Sequence, residues 1–166
     1  MTVLRRADRP GDLGWIVMAH GEEYQRQFGW DAGFEALVAR IVADYAAGHD
    51  RDREAAWIAE TGGERSGCVM LAAGDEPGTA KLRVLLVTGA ARGGGVGSRL
   101  VGECLAFAEK AGYREVTLWT VDLCVSARRI YEAAGFTLRA QEPHPGFGGT
   151  EQVTGQTWAK RLGYLL

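Results

Sequence analysis

The chain has 166 residues, with 19 Lys and Arg against 21 Asp and Glu and a formal net charge of −2 at pH 7. This length suits one domain over residues 1–166, and the near-neutral charge argues against a nucleic-acid-binding protein, which is usually strongly basic. No run of about eighteen apolar residues predicts a membrane span, and the charged start Met1–Arg6 does not resemble a signal peptide. We therefore expect a cytoplasmic protein whose partners are neither nucleic acids nor membranes.

The three cysteines, Cys68, Cys104 and Cys124, include no Cys-x-x-Cys pair, and the chain has only three histidines. An odd number of cysteines favours reduced thiols over a disulfide framework. No spacing resembles a zinc site. We expect neither disulfides nor a bound metal.

The first part of the chain predicts one strand and two helices. Thr2 to Ala7 predicts the strand, Pro10-Gly11-Asp12 leads into the first helix, and Asp31 is placed to cap the second. Each helix has an apolar face at α-helical spacing. These faces consist of Ile16, Val17, His20 and Tyr24 in the first helix, and of Phe34, Leu37, Val38, Ile41, Val42 and Tyr45 in the second.

Three predicted strands follow the helices. Ala55 to Thr61 and Gly67 to Ala73 flank the pair Gly62-Gly63, as the two strands of a hairpin would. Asp75 to Gly78 predicts a turn. Leu82 to Val87 is almost continuously apolar, which is typical of a buried strand.

A glycine-rich turn, Arg92-Gly93-Gly94-Gly95-Val96-Gly97, follows this strand and opens an amphipathic helix. Such a turn leaves unpaired N–H groups at the positive end of the helix dipole. It is a ready anion site, and diphosphate is the usual anion. Four glycines together cost roughly a few kcal/mol relative to alanine, so we expect a ligand to approach this backbone closely. The apolar face of the helix consists of Leu100, Val101, Cys104, Leu105 and Ala108.

Two common phosphate loops do not fit this turn. A Walker loop needs a glycine-lysine pair, whereas Gly97 is followed by Ser98 and the chain has no such pair. A dinucleotide-binding turn needs glycines at offsets 0, 2 and 5, and no register of the turn supplies them. The pattern that fits is Arg/Gln-x-x-Gly-x-Gly/Ala, matched by Arg92, Gly95 and Gly97.

The last part of the chain predicts further strands and one helix. Residues 110–113 close the preceding helix, and Glu115 to Thr120 predicts a strand. The last helix is predicted by an apolar face that consists of Ala127, Ile130, Tyr131 and Ala134. A short strand, a Pro- and Gly-rich loop from Pro143 to Gly149, and a final strand around Val153 to Lys160 complete the chain. The order β-α-α-β-β-β-α-β-α-β-β is typical of an α/β protein with a mixed sheet.

Two segments resemble the signatures of the GNAT superfamily of acyl-CoA-dependent N-acyltransferases. The first is the turn Arg92–Gly97, and the second is Ala127–Phe136, about 35 residues later. The similarity extends over Lys81 to Phe136. The resemblance implies a GNAT fold, with one mixed central sheet of six or seven strands, about four flanking helices, and a splay between the fourth and fifth strands.

This family transfers an acyl group from a CoA thioester to an amine, so the resemblance implies acetyl-CoA as the co-substrate. Main-chain amides of the turn would hold the diphosphate, with the Ser98 hydroxyl as a further donor. The main-chain N–H of Val87 would polarise the thioester carbonyl. The cofactor-binding residues that the resemblance implies are Leu86, Val87, Arg92, Gly93, Gly94, Gly95, Val96, Gly97, Ser98, Cys124 and Ala127.

Tyr131 matches the family tyrosine that can donate a proton to the departing CoA sulfur, although a rung of an apolar helix face would equally explain it. The general base stays unassigned, because Thr88 occupies the strand end where many relatives carry Glu. Cys124 likewise stands where many relatives carry an Asn that bonds the cofactor, so one hydrogen bond of about 1 kcal/mol would be missing or replaced. The candidate bases are Glu22, Glu23, His20, Glu142 and His144, of which His20 also fits a plain core position.

The acceptor would lie against the first two helices and the late loop. The candidate substrate-binding residues are Glu22, Tyr24, Phe28 and Trp30, and Phe147 would add to an aromatic wall for an apolar or cationic amine. Segments 28–31 and 144–158 resemble, more faintly, acetyltransferase domains fused to MarR-type regulators. That similarity does not identify the substrate.

We therefore expect an N-acetyltransferase that transfers an acetyl group from acetyl-CoA to a primary amine of a small molecule or peptide. Direct attack is expected, because no activated Cys-His pair is evident. Two alternatives stay open: a non-catalytic acyl-CoA-binding or sensing module, and a nucleotide-phosphate site at the same turn. The sequence also leaves open whether two copies pair as a homodimer.

Overall fold

The computed structural model describes residues 1–148 and 152–163, in which seven strands form one mixed sheet with four α-helices. The strands are β1 (Thr2–Arg6), β2 (Ala55–Thr61), β3 (Glu64–Ala73), β4 (Thr79–Val87), β5 (Glu115–Val121), β6 (Thr137–His144) and β7 (Val153–Arg161). The helices are α1 (Asp12–Phe28), α2 (Ala32–Gly48), α3 (Val96–Lys110) and α4 (Val125–Ala133), and a single 3₁₀ turn covers Gly89–Ala91. The predicted α/β class and order of elements are confirmed.

The strands lie in the order β1-β2-β3-β4-β5-β7-β6, and every neighbouring pair is antiparallel except β4 and β5. One apolar cluster packs α3 and α4 against one face of the sheet, and a second packs α1 and α2 against the other. Within the described ranges, no helix has the length and apolar character needed to cross a bilayer. The layers thus place α1 and α3 on opposite faces of the sheet.

Strand β6 differs from the prediction at its end. It continues through Pro143 to His144, whereas the sequence predicted a loop from Pro143 onward. Proline lacks an N–H donor but is tolerated on an edge strand, and β6 forms the edge of this sheet. The far end of the predicted loop, residue 149, lies outside the described residues.

Strands β4 and β5 part after a short stretch of pairing. Their ladder joins Thr79–Lys81 to Glu115–Thr117 and goes no further. On its other side β4 carries a bulge, because its register with β3 shifts between Cys68 and Met70. Val84 lies in this bulge with φ of 50°, in the left-handed region. The splay predicted between the fourth and fifth strands is confirmed.

A buried carboxylate joins the first strand to the first helix and to β3. Asp12 is fully buried at the start of α1 and accepts hydrogen bonds from both Arg5 Nη atoms (2.7 and 2.9 Å), from Arg65 Nε (2.9 Å) and from the Arg9 main-chain N–H (2.8 Å). Burial alone would raise the pKa of Asp12, but these hydrogen bonds outweigh it and hold the pKa well below its usual range.

We expect Asp12→Asn to lower the free energy of unfolding by about 3–5 kcal/mol, because it leaves the cations of Arg5 and Arg65 without their buried counterion. Denaturant unfolding measures this change. Asp75→Asn is the matched control, since Asp75 pairs with Lys81 but is 88 % exposed, and such pairs contribute less than about 1 kcal/mol. Equal effects of the two substitutions would contradict the central role of the Asp12 cluster.

Candidate functional site

Two cavities meet where β4 and β5 separate. The turn-side cavity, of about 440 Å³, lies between the glycine turn, the end of β4 and the start of α4. The helix-side cavity, of about 470 Å³, lies between helices α1 and α2 and strands β4 and β5. Both are lined by Tyr24, Leu85, Cys124 and Ala127. A ligand could therefore extend through the splay from one cavity to the other.

The glycine turn forms the mouth of the turn-side cavity. Gly93 and Gly95 have φ of 85° and 74°, so the turn itself requires glycine at these two positions. At Gly97 a Cβ atom would lie 2.6 Å from Ile130 Cδ1, so the close packing of α3 on α4 favours glycine there. At Gly94 a Cβ atom would make only an ordinary contact of 3.7 Å with the Ala91 carbonyl oxygen, and Gly94, unlike the other three glycines, does not line the cavity.

The first turn of α3 offers free donors to this cavity. The first hydrogen bond of the helix runs from Arg99 N–H to the carbonyl of Gly95, and no side chain caps the helix. The N–H groups of Val96, Gly97 and Ser98 therefore have no partner within the helix. All three residues line the turn-side cavity.

The main-chain N–H of Val87 faces the gap between the strands. Thr88 N–H donates to the Ser66 carbonyl at 2.9 Å, and Gly67 lies opposite Val87 as the next pair in register. Bonded and non-bonded pairs alternate in an antiparallel ladder, so both main-chain groups of Val87 point away from β3. The carbonyl accepts a hydrogen bond from Arg92 Nε at 3.2 Å, while β5 is no longer paired at this level.

Arg92 ties the turn to α1. Its guanidinium also lies 3.4 Å from Glu23 Oε2, and Glu23 pairs with Arg26 on the same helix. Glu23 is buried, with a side chain 9 % exposed. Glu22, by contrast, is exposed and lines neither cavity. The structure thus brings Glu23, and not Glu22, into contact with the turn.

Tyr131 lies on α4 and lines the helix-side cavity beside the residues that the two cavities share. It is 6 % exposed, and its ring packs on Phe136 with centroids 5.8 Å apart. Burial raises the pKa of the Tyr131 phenol above its usual value. The hydroxyl is therefore protonated at neutral pH and can donate a proton.

Cys124 precedes α4 and lines both cavities. Its Sγ lies 4.0 Å from the Tyr24 hydroxyl. Burial raises the pKa of the Cys124 thiol, so it is not an activated nucleophile. This position offers a weak thiol donor to a ligand in place of an amide side chain.

The aromatic residues of the predicted acceptor wall pack together, and Phe34 joins them. Tyr24 stacks on Phe34 with centroids 4.4 Å apart and lies 5.4 Å from Trp30, which in turn lies 4.9 Å from Phe147. Trp30 and Phe34 line the helix-side cavity, whereas Phe28 lines the turn-side cavity. Most of these rings also belong to the core under α1 and α2.

His20 presents an unpartnered nitrogen in this wall. It is 2 % exposed and lines the helix-side cavity. Its Nδ1 lies 2.7 Å from the Ile16 carbonyl and must donate to it, so Nε2 carries the lone pair. Nε2 has no hydrogen-bond partner in the described part of the chain. Burial lowers the pKa of His20 to about 4, so the ring is neutral at physiological pH.

The other candidate bases lie outside both cavities. Glu142 is exposed on β6. His144 accepts a hydrogen bond from the Gly146 N–H through Nδ1 at 3.0 Å, and its ring packs on Trp119 at 5.2 Å. Of the five candidates, His20 alone lines the helix-side cavity, and none lines the turn-side cavity.

Apart from Arg92, the sequence analysis did not single out the cations of the two cavities. Lys81 and Arg83 of β4 line the helix-side cavity together with Asp75, and Arg129 of α4 joins Arg92 in the turn-side cavity. The alternation of charged and apolar residues along 81–85 indicates a polar face of β4. It does not reveal that this face borders a cavity, because that depends on the splay.

Comparison with known proteins places these features in a family. The sequence model of the acetyltransferase (GNAT) family matches residues 15–136. An uncharacterised N-acetyltransferase of Schizosaccharomyces pombe is 30 % identical over 131 residues, which cover 74 % of each chain. N-acetyltransferase family 8 member 2 of Rattus norvegicus is 32 % identical over 106 residues, covering 61 % of this chain but only 45 % of the rat protein.

Solved structures share the fold. The yncA protein of Salmonella typhimurium, solved with its cofactor acetyl-CoA, superposes with a TM-score of 0.78 at 16 % identity over 100 % of this chain and 96 % of its own. A GNAT-family acetyltransferase of Streptococcus pneumoniae gives a TM-score of 0.76 at 17 % identity, over 98 % and 100 %. At these low sequence identities, the superpositions show only that the fold is shared.

The buried neutral state of His20 should appear in the pH dependence of stability. Its pKa is about 4 in the folded protein and about 6.5 for an ordinary imidazole, so below pH 6.5 the unfolded chain binds this proton more readily. The stability from neutral His20 is full above pH 6.5 and is lost as the pH falls towards 4. We expect a loss of about 2 kcal/mol between pH 7 and pH 5, measured by chemical unfolding, that is missing in His20→Leu.

Phe34→Leu is the matched control, because the ring centroids of Phe34 and His20 lie 6.3 Å apart and phenylalanine does not titrate. Relative to the unsubstituted protein, Phe34→Leu should lower the free energy of unfolding by the same amount at both pH values. If His20→Leu and the unsubstituted protein lose equal stability between pH 7 and pH 5, the neutral buried state is wrong.

Proposed function

Because the chain belongs to the acetyltransferase (GNAT) family, we propose that it transfers the acetyl group of acetyl-CoA to a primary amine of a small molecule or peptide by direct attack. One observation carries this proposal. Two cavities of different character meet at the splay of β4 and β5, one bordered by free helix N–H groups and arginines, the other by aromatic side chains. A thioester and an amine could enter from opposite sides.

The turn-side cavity suits the phosphates of CoA. The N–H groups of the first turn of α3 lie at the positive end of the helix dipole, where anions are stabilised. Arg92 and Arg129 add two cations, and Ser98 adds a hydroxyl. Arg92 is held by Glu23 and the Val87 carbonyl, which keeps the turn in place before the ligand arrives. Gly94 does not line the turn-side cavity, so it is not among the residues that we propose to bind the phosphates.

The splay suits the thioester. Leu86 and Val87 form the edge of β4 beside the turn-side cavity, and the N–H of Val87 points into the gap. In our proposal this N–H donates to the thioester oxygen and stabilises the negative charge that develops there. Ala127 and Cys124 border the passage that the acyl group would follow into the helix-side cavity.

The amine would attack from the helix-side cavity, against Tyr24 and Trp30. Its nitrogen forms a bond to the carbonyl carbon, the carbon–sulfur bond breaks, and the electron pair leaves on sulfur. Tyr131 then gives its proton to the thiolate. Burial raises the pKa of the Tyr131 phenol, so the hydroxyl keeps its proton until a thiolate forms beside it late in the reaction. After the transfer Tyr131 regains a proton from solvent.

The amine must also lose a proton. His20 borders the helix-side cavity, but its Nε2 atom is covered by neighbouring atoms and its pKa is about 4. His20 is therefore a poor acceptor for this proton, and we propose that solvent in the helix-side cavity takes it.

We expect Arg129→Gln to weaken CoA binding about tenfold, because a charge-assisted bond to phosphate contributes roughly 1.5 kcal/mol or more. Calorimetric titration with CoA measures the change, and its salt dependence should fall as well. Arg128→Gln is the matched control, because the neighbouring Arg128 turns to the Asp122 carbonyl and does not line the cavity. Equal losses in both variants would place the phosphates elsewhere.

We expect Tyr131→Phe to lower kcat about 100-fold with little change in CoA affinity, because a positioned general acid contributes 10²–10⁴-fold. Release of free thiol from acetyl-CoA, in the presence of a mixed amine panel, measures turnover. Phe136→Leu is the control, since it alters the same packing without removing a hydroxyl.

The outcomes separate the hypotheses. An unchanged rate in Tyr131→Phe would remove the acid role but leave the transferase. CoA binding without thiol release from any amine would instead favour an acyl-CoA-sensing module. Preference for ATP over CoA would indicate a nucleotide-phosphate site.

A further inference from the structure

Arg83 lines the helix-side cavity from β4, just past the last residue of that strand that pairs with β5. Lys81 is the last residue of β4 that pairs with β5, opposite Thr117. Two residues on, Arg83 is the next side chain on the same face of the strand, just past the point where the strands part. The intervening Leu82 belongs to the core under α3.

The two cations differ in their partners. Lys81 Nζ lies 3.0 Å from Asp75 Oδ2 and is already neutralised. The Arg83 side chain has no hydrogen bond or ion pair to any residue in 1–148 and 152–163, although its guanidinium carries five N–H donors. It is only partly exposed and borders a cavity with largely apolar walls. A charge in such surroundings is stabilised by an anionic partner.

The charges around the cavity favour one kind of acceptor. Lys81 and Asp75 cancel, His20 is neutral, and Arg83 leaves the lining with one net positive charge. A second cationic group on the acceptor, as in a diamine, would be repelled. An anionic group would be attracted and would find a guanidinium fork that binds carboxylates with two parallel hydrogen bonds.

We propose that the acceptor is an amine that also carries a carboxylate, and that Arg83 binds this carboxylate. This inference rests on the proposed acetyl transfer and names its substrate class. It distinguishes a free amino acid from a peptide N-terminus, whose nearest carbonyl is a neutral amide.

The distance between amine and carboxylate is bounded by the strand. Because of the bulge, Arg83 and Val87 lie opposite Met70 and Gly67 of β3, which are three residues or about 10 Å apart along that strand. The thioester carbonyl would lie at Val87. The arginine side chain covers part of this distance. A test must therefore include acceptors in which the two groups are adjacent and acceptors in which a chain separates them.

Matched acceptors test the proposal. Phenylalanine is compared with phenethylamine and phenylalanine amide, and 6-aminohexanoate with pentylamine and cadaverine, by thiol release from acetyl-CoA. We expect at least one of the two amino acids to exceed its decarboxylated partner 10- to 100-fold in kcat/KM, since a bond between charged groups contributes about 1.5–3 kcal/mol.

Three variants link the preference to Arg83. Arg83→Gln should lower kcat/KM for the amino acid by the same 10- to 100-fold, chiefly through KM, and leave the decarboxylated amine unchanged. Arg83→Lys should restore part of the loss. Arg139→Gln, which removes a cation from the edge strand β6 outside both cavities, should change nothing. CoA affinity checks that each variant is folded.

Calorimetric titration of the CoA-loaded protein with both amino acids gives a reading independent of turnover. Thiol release that is equal for acids and decarboxylated amines, or that falls equally for both in Arg83→Gln, overturns the carboxylate assignment and leaves the acetyl transfer standing. If no amine of the panel releases thiol, the transfer itself fails. The carboxylate site is then supported only by amino acid binding that Arg83→Gln removes, and binding that is absent or unchanged in the variant overturns it.

Discussion

The left-handed backbone of Val84 is the constraint on which the site depends. A β-branched residue with φ of 50° costs about 1–3 kcal/mol and persists only where its surroundings hold it. Here the ladder to β3 resumes on both sides of the bulge, and Cys68 Sγ donates to the Val84 carbonyl at 3.2 Å. The bulge accompanies the parting of β4 from β5, which opens the two cavities and leaves the Val87 N–H facing a gap.

Helix α1 couples the two cavities. Successive turns of one helix present His20 to the helix-side cavity, Tyr24 to both, and Glu23 to the glycine turn through Arg92. The buried Asp12 at its start fixes the helix to β1 and β3. A displacement of α1 would therefore move the aromatic wall and the turn together. This arrangement holds the site in position before ligands bind, which lowers the entropic cost of binding them.

The sequence predicted elements more completely than it predicted the site. Periodicity and turn residues predicted each α-helix and strand, because each pattern is local. The predicted loop start at Pro143 was wrong, because an edge strand tolerates a proline, which usually ends a strand. Two of the glycines, Gly93 and Gly95, are required by the turn itself, so glycine density alone overstated the case for a ligand. Arg83 and the lone pair of His20 could not be found this way, since their surroundings arise only when β4 and β5 part.

The lack of a carboxylate base at Thr88 has a physical counterpart in the apolar walls of the helix-side cavity. An ammonium ion is disfavoured by apolar surroundings, which lower the pKa of a bound amine. The helix-side cavity supplies such surroundings through its aromatic side chains. A carboxylate of the acceptor bound to Arg83 would cancel the charge of that cation, so the effect on the amine comes from the apolar walls. An acceptor amine there loses its proton to solvent more readily than in water, where its pKa is near 10.4, so that a dedicated base is less necessary.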